Sequence, residues 1–258
     1  MPLYTPEKDF EIYYEISGNK NGPKMVLIHG LFLNGDSWKF QLPVFESEFQ
    51  VLRFDLRGHG RTTKPKKRFT IRNYVDDMFA LLKHLNWTED LYLIGHSLGG
   101  MIALVYGLEN PSQVKKMVVA DSFCFISQEA ITDVLGRINS SKLESFALGI
   151  SIRGLIPYNE EVAQYVATLV TNHMTKKNCL QATAASAGFN ICENLKNLNI
   201  PVLVLVGKKD ITTPVWASEM IHEWLPQSKL IIIPDAGHLV IFDHPKEFND
   251  LTLSFWKE

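Results

Sequence analysis

The feature that most limits how this chain can fold is a set of short, nearly unbroken apolar runs. They are Met25-Val26-Leu27-Ile28, Val51-Leu52-Arg53-Phe54, Leu91-Tyr92-Leu93-Ile94, Met117-Val118-Val119-Ala120, Val202-Leu203-Val204-Leu205-Val206 and Leu230-Ile231-Ile232-Ile233. Each is too short for a buried helix, and continuous apolarity fits a strand covered on both faces. Phe10 to Ile16 instead alternates with a period near two, as an outer strand does. Between the runs the period lengthens. Ile71, Val75, Met78, Leu82 and Leu85 recur at three- and four-residue steps behind Thr70, a good N-cap. A second helix is expected from about Ser97 to Glu109, stopped before Pro111. A third follows Pro214, and a last one starts near His244-Pro245. Strands alternating with helices predict an α/β fold with a mostly parallel sheet covered on both faces.

The 258 residues, 46% of them apolar, suffice for one large core or a core with a small insertion. From Ser122 to Asn190 no strand-like run appears, and Val162, Tyr165, Val166, Leu169 and Val170 keep helical spacing. The expected organisation is therefore a core over 1–121, a helical cap over 122–190 and the remaining core over 191–258. A net charge of -2 offers no basic surface for nucleic acid. The one basic cluster, Arg61 to Arg68, reads as a solvated loop around Pro65. Cys124, Cys179 and Cys192 are three scattered thiols, which predicts a reducing compartment and no disulfide framework. The N-terminal residues do not read as a signal peptide, and no apolar stretch approaches the roughly 20 residues of a membrane span. A soluble cytoplasmic protein is expected; oligomeric state is not legible.

Ile94-Gly95-His96-Ser97-Leu98-Gly99-Gly100 joins an apolar strand to a helix. A serine there sits on a tight turn at a helix N-terminus, where developing negative charge is favoured. Small residues two positions to either side are required, and Gly95 and Gly99 supply them. A serine hydroxyl needs an adjacent base to act as a nucleophile at neutral pH. Downstream, Asp210 follows the strand ending at Val206-Gly207, and His238 follows the strand ending at Ile233. Both fall at the carboxyl edge of the sheet, where open α/β sheets place ligands. His238 is thus the candidate base and Asp210 the acid that orients it. Asp121, also at a strand end, is an alternative acid, whereas Asp235 reads as a turn residue. Asp55 and Arg57 are expected to order a loop, and His29 and His59 to be structural. His96 should point away from the Ser97 hydroxyl. Neither a metal-ligand spacing nor a dinucleotide fingerprint is present, so no metal or cofactor is expected.

Taken together, His29-Gly30, Asp55-Leu56-Arg57-Gly58-His59-Gly60, the Gly95–Gly99 turn, Gly207-x-x-Asp210 and Gly237-His238 resemble the α/β-hydrolase superfamily, each motif at a strand end and in the family's order. The chain looks most like its serine-nucleophile branch: small carboxylesterases, enol-lactonases and cofactor-free haloperoxidases. The resemblance covers nearly the whole chain apart from the inserted helices. It implies an eight-stranded, mostly parallel sheet. It also implies an oxyanion hole of two backbone N–H groups, those of Leu98 and of Leu31, with Phe32 the other possibility for the second. Hydrolysis of a small-molecule ester or lactone through an acyl-enzyme follows. A hydrolase-fold ligand receptor and a cofactor-independent oxygenase or perhydrolase are the alternatives. Phe32, Trp38, Phe123 and Phe125 are the expected substrate-pocket residues.

Overall fold

The computed structural model describes residues 2–258. Eight strands form one sheet: β1 (Leu3–Glu7), β2 (Phe10–Gly18), β3 (Lys24–Ile28), β4 (Gln50–Phe54), β5 (Leu91–His96), β6 (Val114–Ala120), β7 (Val202–Gly207) and β8 (Ser228–Ile233). Their order is β1-β2-β4-β3-β5-β6-β7-β8. β2 runs antiparallel to both β1 and β4, and every pairing from β4 through β8 is parallel. Ile28 pairs with Gly95, Gly95 with Val119, and Gly207 with Ile233. This register aligns the carboxyl ends of β3, β5, β6, β7 and β8 along one edge.

The helices are α1 (Leu42–Phe45), α2 (Ile71–His84), α3 (Leu98–Glu109), α4 (Gln128–Ser140), α5 (Leu143–Gly154), α6 (Glu160–Thr171), α7 (Lys176–Ala184), α8 (Val215–Trp224), α9 (Val240–Asp243) and α10 (Pro245–Lys257). Thr70 caps α2 in a reciprocal arrangement with Asn73. Successive strand residues face opposite sides of the sheet, so each apolar run feeds two cores. Val26, Ile28 and Leu93 pack with Met78 and Leu81 of α2 and Ile102 of α3. Met25, Leu27 and Ile94 pack on the other face with Trp38, Phe45, Phe248 and Phe255. Helices α4 to α7 lie between β6 and β7 in sequence. They share a smaller cluster in which Ile138, Phe146, Val170 and Cys179 meet Phe32 of the core.

Two sequence expectations are corrected, and one strand has no sequence signal. β1 carries no clear apolar pattern, because it is an edge strand half exposed along its length and holds Pro6, which edges tolerate. β8 reads as doubly buried but is the opposite edge, and Ile232 is 37% exposed. Cys124 and Cys192 are joined in a disulfide across 68 residues, and only Cys179 remains a thiol, buried in the inserted helices. The bridge ties the segment after β6 to the 3-10 turn Cys192–Asn197 that precedes β7. No helix among the described residues is long and apolar enough to cross a membrane.

Candidate active site

Ser97 stands between β5 and α3 with φ 54° and ψ -116°. A side chain at such a φ stores on the order of 1–3 kcal/mol of strain and persists only where the surroundings impose it. They do so here. The Ser97 N–H donates to the Ala120 carbonyl at 2.8 Å, and the Ser97 carbonyl accepts from the Gly100 N–H at 2.9 Å and the Ser122 hydroxyl at 2.7 Å. Gly95 and Gly99 are required by close approach. A Cβ on Gly99 would lie 2.0 Å from the Ile28 carbonyl oxygen, and one on Gly95 would lie 2.3 Å from the Gly99 carbonyl oxygen. The two glycines therefore let α3 begin directly against β3 and β5.

The loops after β7 and β8 are stitched together. Lys208 N–H donates to the Ile233 carbonyl at 2.8 Å and Lys209 N–H to the Ala236 carbonyl at 2.9 Å. Gly207 has no room for a Cβ, which would sit 2.3 Å from the Gly237 carbonyl oxygen. This crossing brings His238 Nδ1 to 2.8 Å from Asp210 Oδ2 and His238 Nε2 to 3.2 Å from Ser97 Oγ. Asp210 Oδ1 accepts the N–H groups of Thr212 at 2.7 Å and Thr213 at 2.9 Å, and the Thr213 hydroxyl donates to Oδ2. Burial would raise the Asp210 carboxyl, but the His238 charge and the His238 and Thr213 hydrogen bonds outweigh it and hold it below the usual carboxylate range. Thr213 carried no sequence signal, since a threonine two or three residues past an acid is ordinary turn composition.

Asp121, the alternative acid, lies elsewhere in the chemistry. Its Oδ1 accepts the Gly207 N–H at 3.0 Å, and its Oδ2 is buried without a partner. Burial, with the nearby Asp210 charge, pushes its carboxyl well above the ordinary range, in the opposite direction to Asp210. Asp235 is 76% exposed and pairs with Lys209. His96 points away from the hydroxyl: its Nε2 donates to the His238 carbonyl at 2.8 Å and so holds the backbone of the His238 loop. Burial, then the His238 charge, lowers the His96 ring to about 3, which keeps it neutral. His96, Asp121 and His238 bring one potential ligand atom each within 4.8 Å of one another. Both nitrogens of His238 already face Ser97 and Asp210, so a metal there would compete with that chain of hydrogen bonds.

The remaining motifs hold loops. His29 Nε2 accepts the Leu56 N–H at 2.9 Å while its Nδ1 faces the Gly30 carbonyl at 2.8 Å. This is the neutral ring, lowered to about 4 by burial, linking the loops after β3 and β4. His59 is fully buried and lowered to about 3 for the same reason. Asp55 accepts from the N–H groups of Gly35 at 2.7 Å and Arg61 at 2.6 Å and from Arg61 Nε at 2.9 Å. Arg57 forks onto Asp77 at 2.8 and 2.6 Å.

Two adjoining cavities, of about 120 and 240 Å³, meet at Ser97. The first is walled by Phe32, Phe146, Ile150, Leu239 and His238. The second is walled by Leu98, Met101, Phe123, Ile126 and Ile131. Leu31 lines both, and Leu98 opens α3, where first-turn N–H groups have no partner within the helix. Phe32 follows Leu31 at φ 69° and meets Phe146 edge-on at 5.2 Å. Two expected pocket residues do not reach either cavity. Trp38 is fully buried against Phe248, 6.5 Å between rings, in the core cluster that also holds Phe45 and Phe255. Phe125 bridges to Asn190 and packs on the main core. Aromatic character in the sequence says nothing of the direction a side chain takes. Arg137 and Arg153 line both cavities and were not singled out in the sequence, where each is an ordinary basic residue near a helix end.

The family model described as serine aminopeptidase, S33, matches residues 23–245. The chain belongs to this family of α/β-hydrolases. The hydrolase is 27% identical over 256 residues to RutD of Agrobacterium fabrum, provisionally named a carbamate hydrolase, covering 95% of this chain and 97% of that protein. It is 26% identical over 251 residues to the pimeloyl-[acyl-carrier protein] methyl ester esterase of Nitrosomonas europaea, covering 92% and 96%. The crystal structure of a bromoperoxidase from Bacillus anthracis superimposes with a TM-score of 0.90 at 26% identity, covering 100% of this chain and 99% of that one.

Proposed function

We propose that the protein is a serine hydrolase that cleaves a small carboxylic ester or lactone through an acyl-enzyme. The observation that carries this reading is the unbroken line Ser97 Oγ, His238, Asp210, with separations of 3.2 and 2.8 Å, opening into apolar cavities. Ser97 Oγ attacks the carbonyl carbon as His238 Nε2 takes its proton. The tetrahedral oxyanion lies against the N–H groups of Leu31 and Leu98, donors whose orientation is set before charge develops. Collapse re-forms the carbonyl and breaks the single bond from the acyl carbon to the alkoxy oxygen, to which His238 returns the proton as the alcohol leaves. Water then attacks the acyl-serine with His238 again as base, releasing the acid. Asp210 stays ionised throughout and stabilises the imidazolium. Helices α4 to α7 act as a cap that supplies the walls opposite Ser97. The esterase named among the relatives accords with this chemistry.

Labelling with a fluorophosphonate, followed by turnover of short p-nitrophenyl esters, tests the reading. Label is expected on Ser97 alone, and Ser97→Ala should lose on the order of 10⁶ in kcat. Label on another residue, or ester turnover retained in Ser97→Ala, would overturn it.

A further inference from the structure

We propose that the substrate carries a carboxylate some bonds away from its scissile carbonyl, and that Arg153 and Arg137 recognise it. The inference rests on the hydrolase reading above and names the substrate class for that site. Ser97 and both arginines line both cavities, so a molecule that presents a carbonyl to Ser97 from either one occupies a cavity walled in part by two arginines, with Asp133 in the lining of the second. Apart from the arginines, the first cavity is walled by glycine, aliphatic and aromatic residues with Ser97, Thr212, His96 and His238, and no carboxylate side chain lines it among the described residues. Arg137 has one partner, Asp133, at 3.0 Å and 65% exposed, and its Nε is a buried donor with no acceptor. Arg153 is an exposed residue of α5 that takes part in no salt bridge among the described residues.

Both arginines stand in the last turn of their helices, α4 and α5, where the helix dipole favours a cation. That accounts for a positive charge at each helix end. It does not account for two arginines from different helices lining one largely apolar cavity. A guanidinium stays charged at any working pH, so a largely apolar cavity lined by two arginines favours an anionic group on its occupant. The planar fork matches a carboxylate in a way that an aliphatic wall cannot. The apolar cavity walls fit the carbon chain between the two ends of such a substrate.

The test compares the half-methyl esters of succinic, glutaric, adipic and pimelic acids with neutral methyl esters of matched length. kcat and KM are followed by acid release in wild type, Arg153→Ala, Arg153→Lys, Arg137→Ala and, as an exposed control on α2, Arg72→Ala. Wild type should prefer the best half-ester at least tenfold in kcat/KM, chiefly through KM, and the preference should shrink with added salt. Arg153→Ala should reduce the preference by roughly tenfold to a hundredfold, the range for a hydrogen bond to a charged group, with partial recovery in Arg153→Lys. Arg72→Ala should leave it unchanged. Equal turnover of charged and neutral esters by wild type would overturn the inference and leave the hydrolase reading standing. So would a preference that survives both alanine variants. No turnover of any ester, together with no label on Ser97, would overturn both.

Discussion

Two carboxylates stand near His238, and their surroundings drive them apart. Asp210 gathers three donors from Thr212 and Thr213 besides His238, whereas Asp121 has one backbone donor and a bare oxygen in the interior. Asp210→Asn should remove the acceptor that sets the His238 tautomer and lower kcat by roughly 10⁴, the loss the same exchange causes in another Ser-His-Asp enzyme. Asp121→Asn should keep kcat, because an amide oxygen still accepts the Gly207 N–H and asparagine tolerates the φ of 46°. Its stability should rise, and the sign follows from linkage. The folded state holds the Asp121 proton to a higher pH than the unfolded chain does, so the residue's contribution is intact at low pH and is lost as pH rises above the ordinary carboxyl value near 4. The gap in unfolding free energy between Asp121→Asn and wild type should therefore widen with pH above about 4, by at most about 1.4 kcal/mol per unit. Urea titrations at several pH values check this. A gap that narrows, or a large loss of kcat in Asp121→Asn, would move the orienting role toward Asp121.

Among the elements, the turn from β5 into α3 was the most legible, because its constraints are local and steric. Gly99 marks the closest approach, and Gly99→Ala should destabilise by about 3 kcal/mol, since the obstacle is backbone of β3 and not a side chain that can turn away. Thermal melts read this directly, and a variant as stable as wild type would mean that α3 can shift outward. The inserted helices were legible as helices and not as a surface. Their periodicity is clear, yet which of their aromatic residues faces Ser97 depends on how four short helices dock together. Phe146 faces the first cavity, while Ile152 and Tyr158 remain about half exposed. Phe146→Ala should thus shift the preference along an ester chain-length series toward longer acyl groups. Trp38→Phe should alter stability alone, because Trp38 is fully buried against Phe248 and lines neither cavity. A change of chain-length preference in Trp38→Phe, with none in Phe146→Ala, would reverse this placement.

For the whole molecule, the disulfide has the widest reach. Cys124 follows Phe123 of the second cavity, and Cys192 lies just before β7, so the bridge closes a loop that contains every inserted helix. On a chain-entropy argument, closing a loop of this length stabilises by about 4 kcal/mol. A Cys124→Ser/Cys192→Ser double variant, or reduction of the wild type, should lower the urea midpoint and raise the slope, because the unfolded chain without the bridge exposes more surface. A midpoint unchanged by reductant, with two extra titratable thiols absent, would show that the bridge does not form. The same closure joins the inserted helices to the core at both ends of the segment, while Leu239 N–H adds a hydrogen bond to the Gly154 carbonyl at 2.9 Å beside His238.

What the amino-acid sequence determined alone was whatever rests on short-range physics. Continuous apolar runs dictate buried strands, Thr70 and Pro111 set helix limits, and a strand–turn–helix with glycines about Ser97 leaves the chain few conformations. The order of Asp210 and His238 after successive strands was legible because a parallel sheet puts every strand end on one edge. The tertiary structure decided what depends on docking: the pairing of Cys124 with Cys192, the retreat of Trp38 into the core, the support of Asp210 by Thr213, and the entry of Arg137 and Arg153 into the lining of the cavities at Ser97. Those contacts join residues distant along the chain through helix packing, and spacing in one dimension carries no record of them.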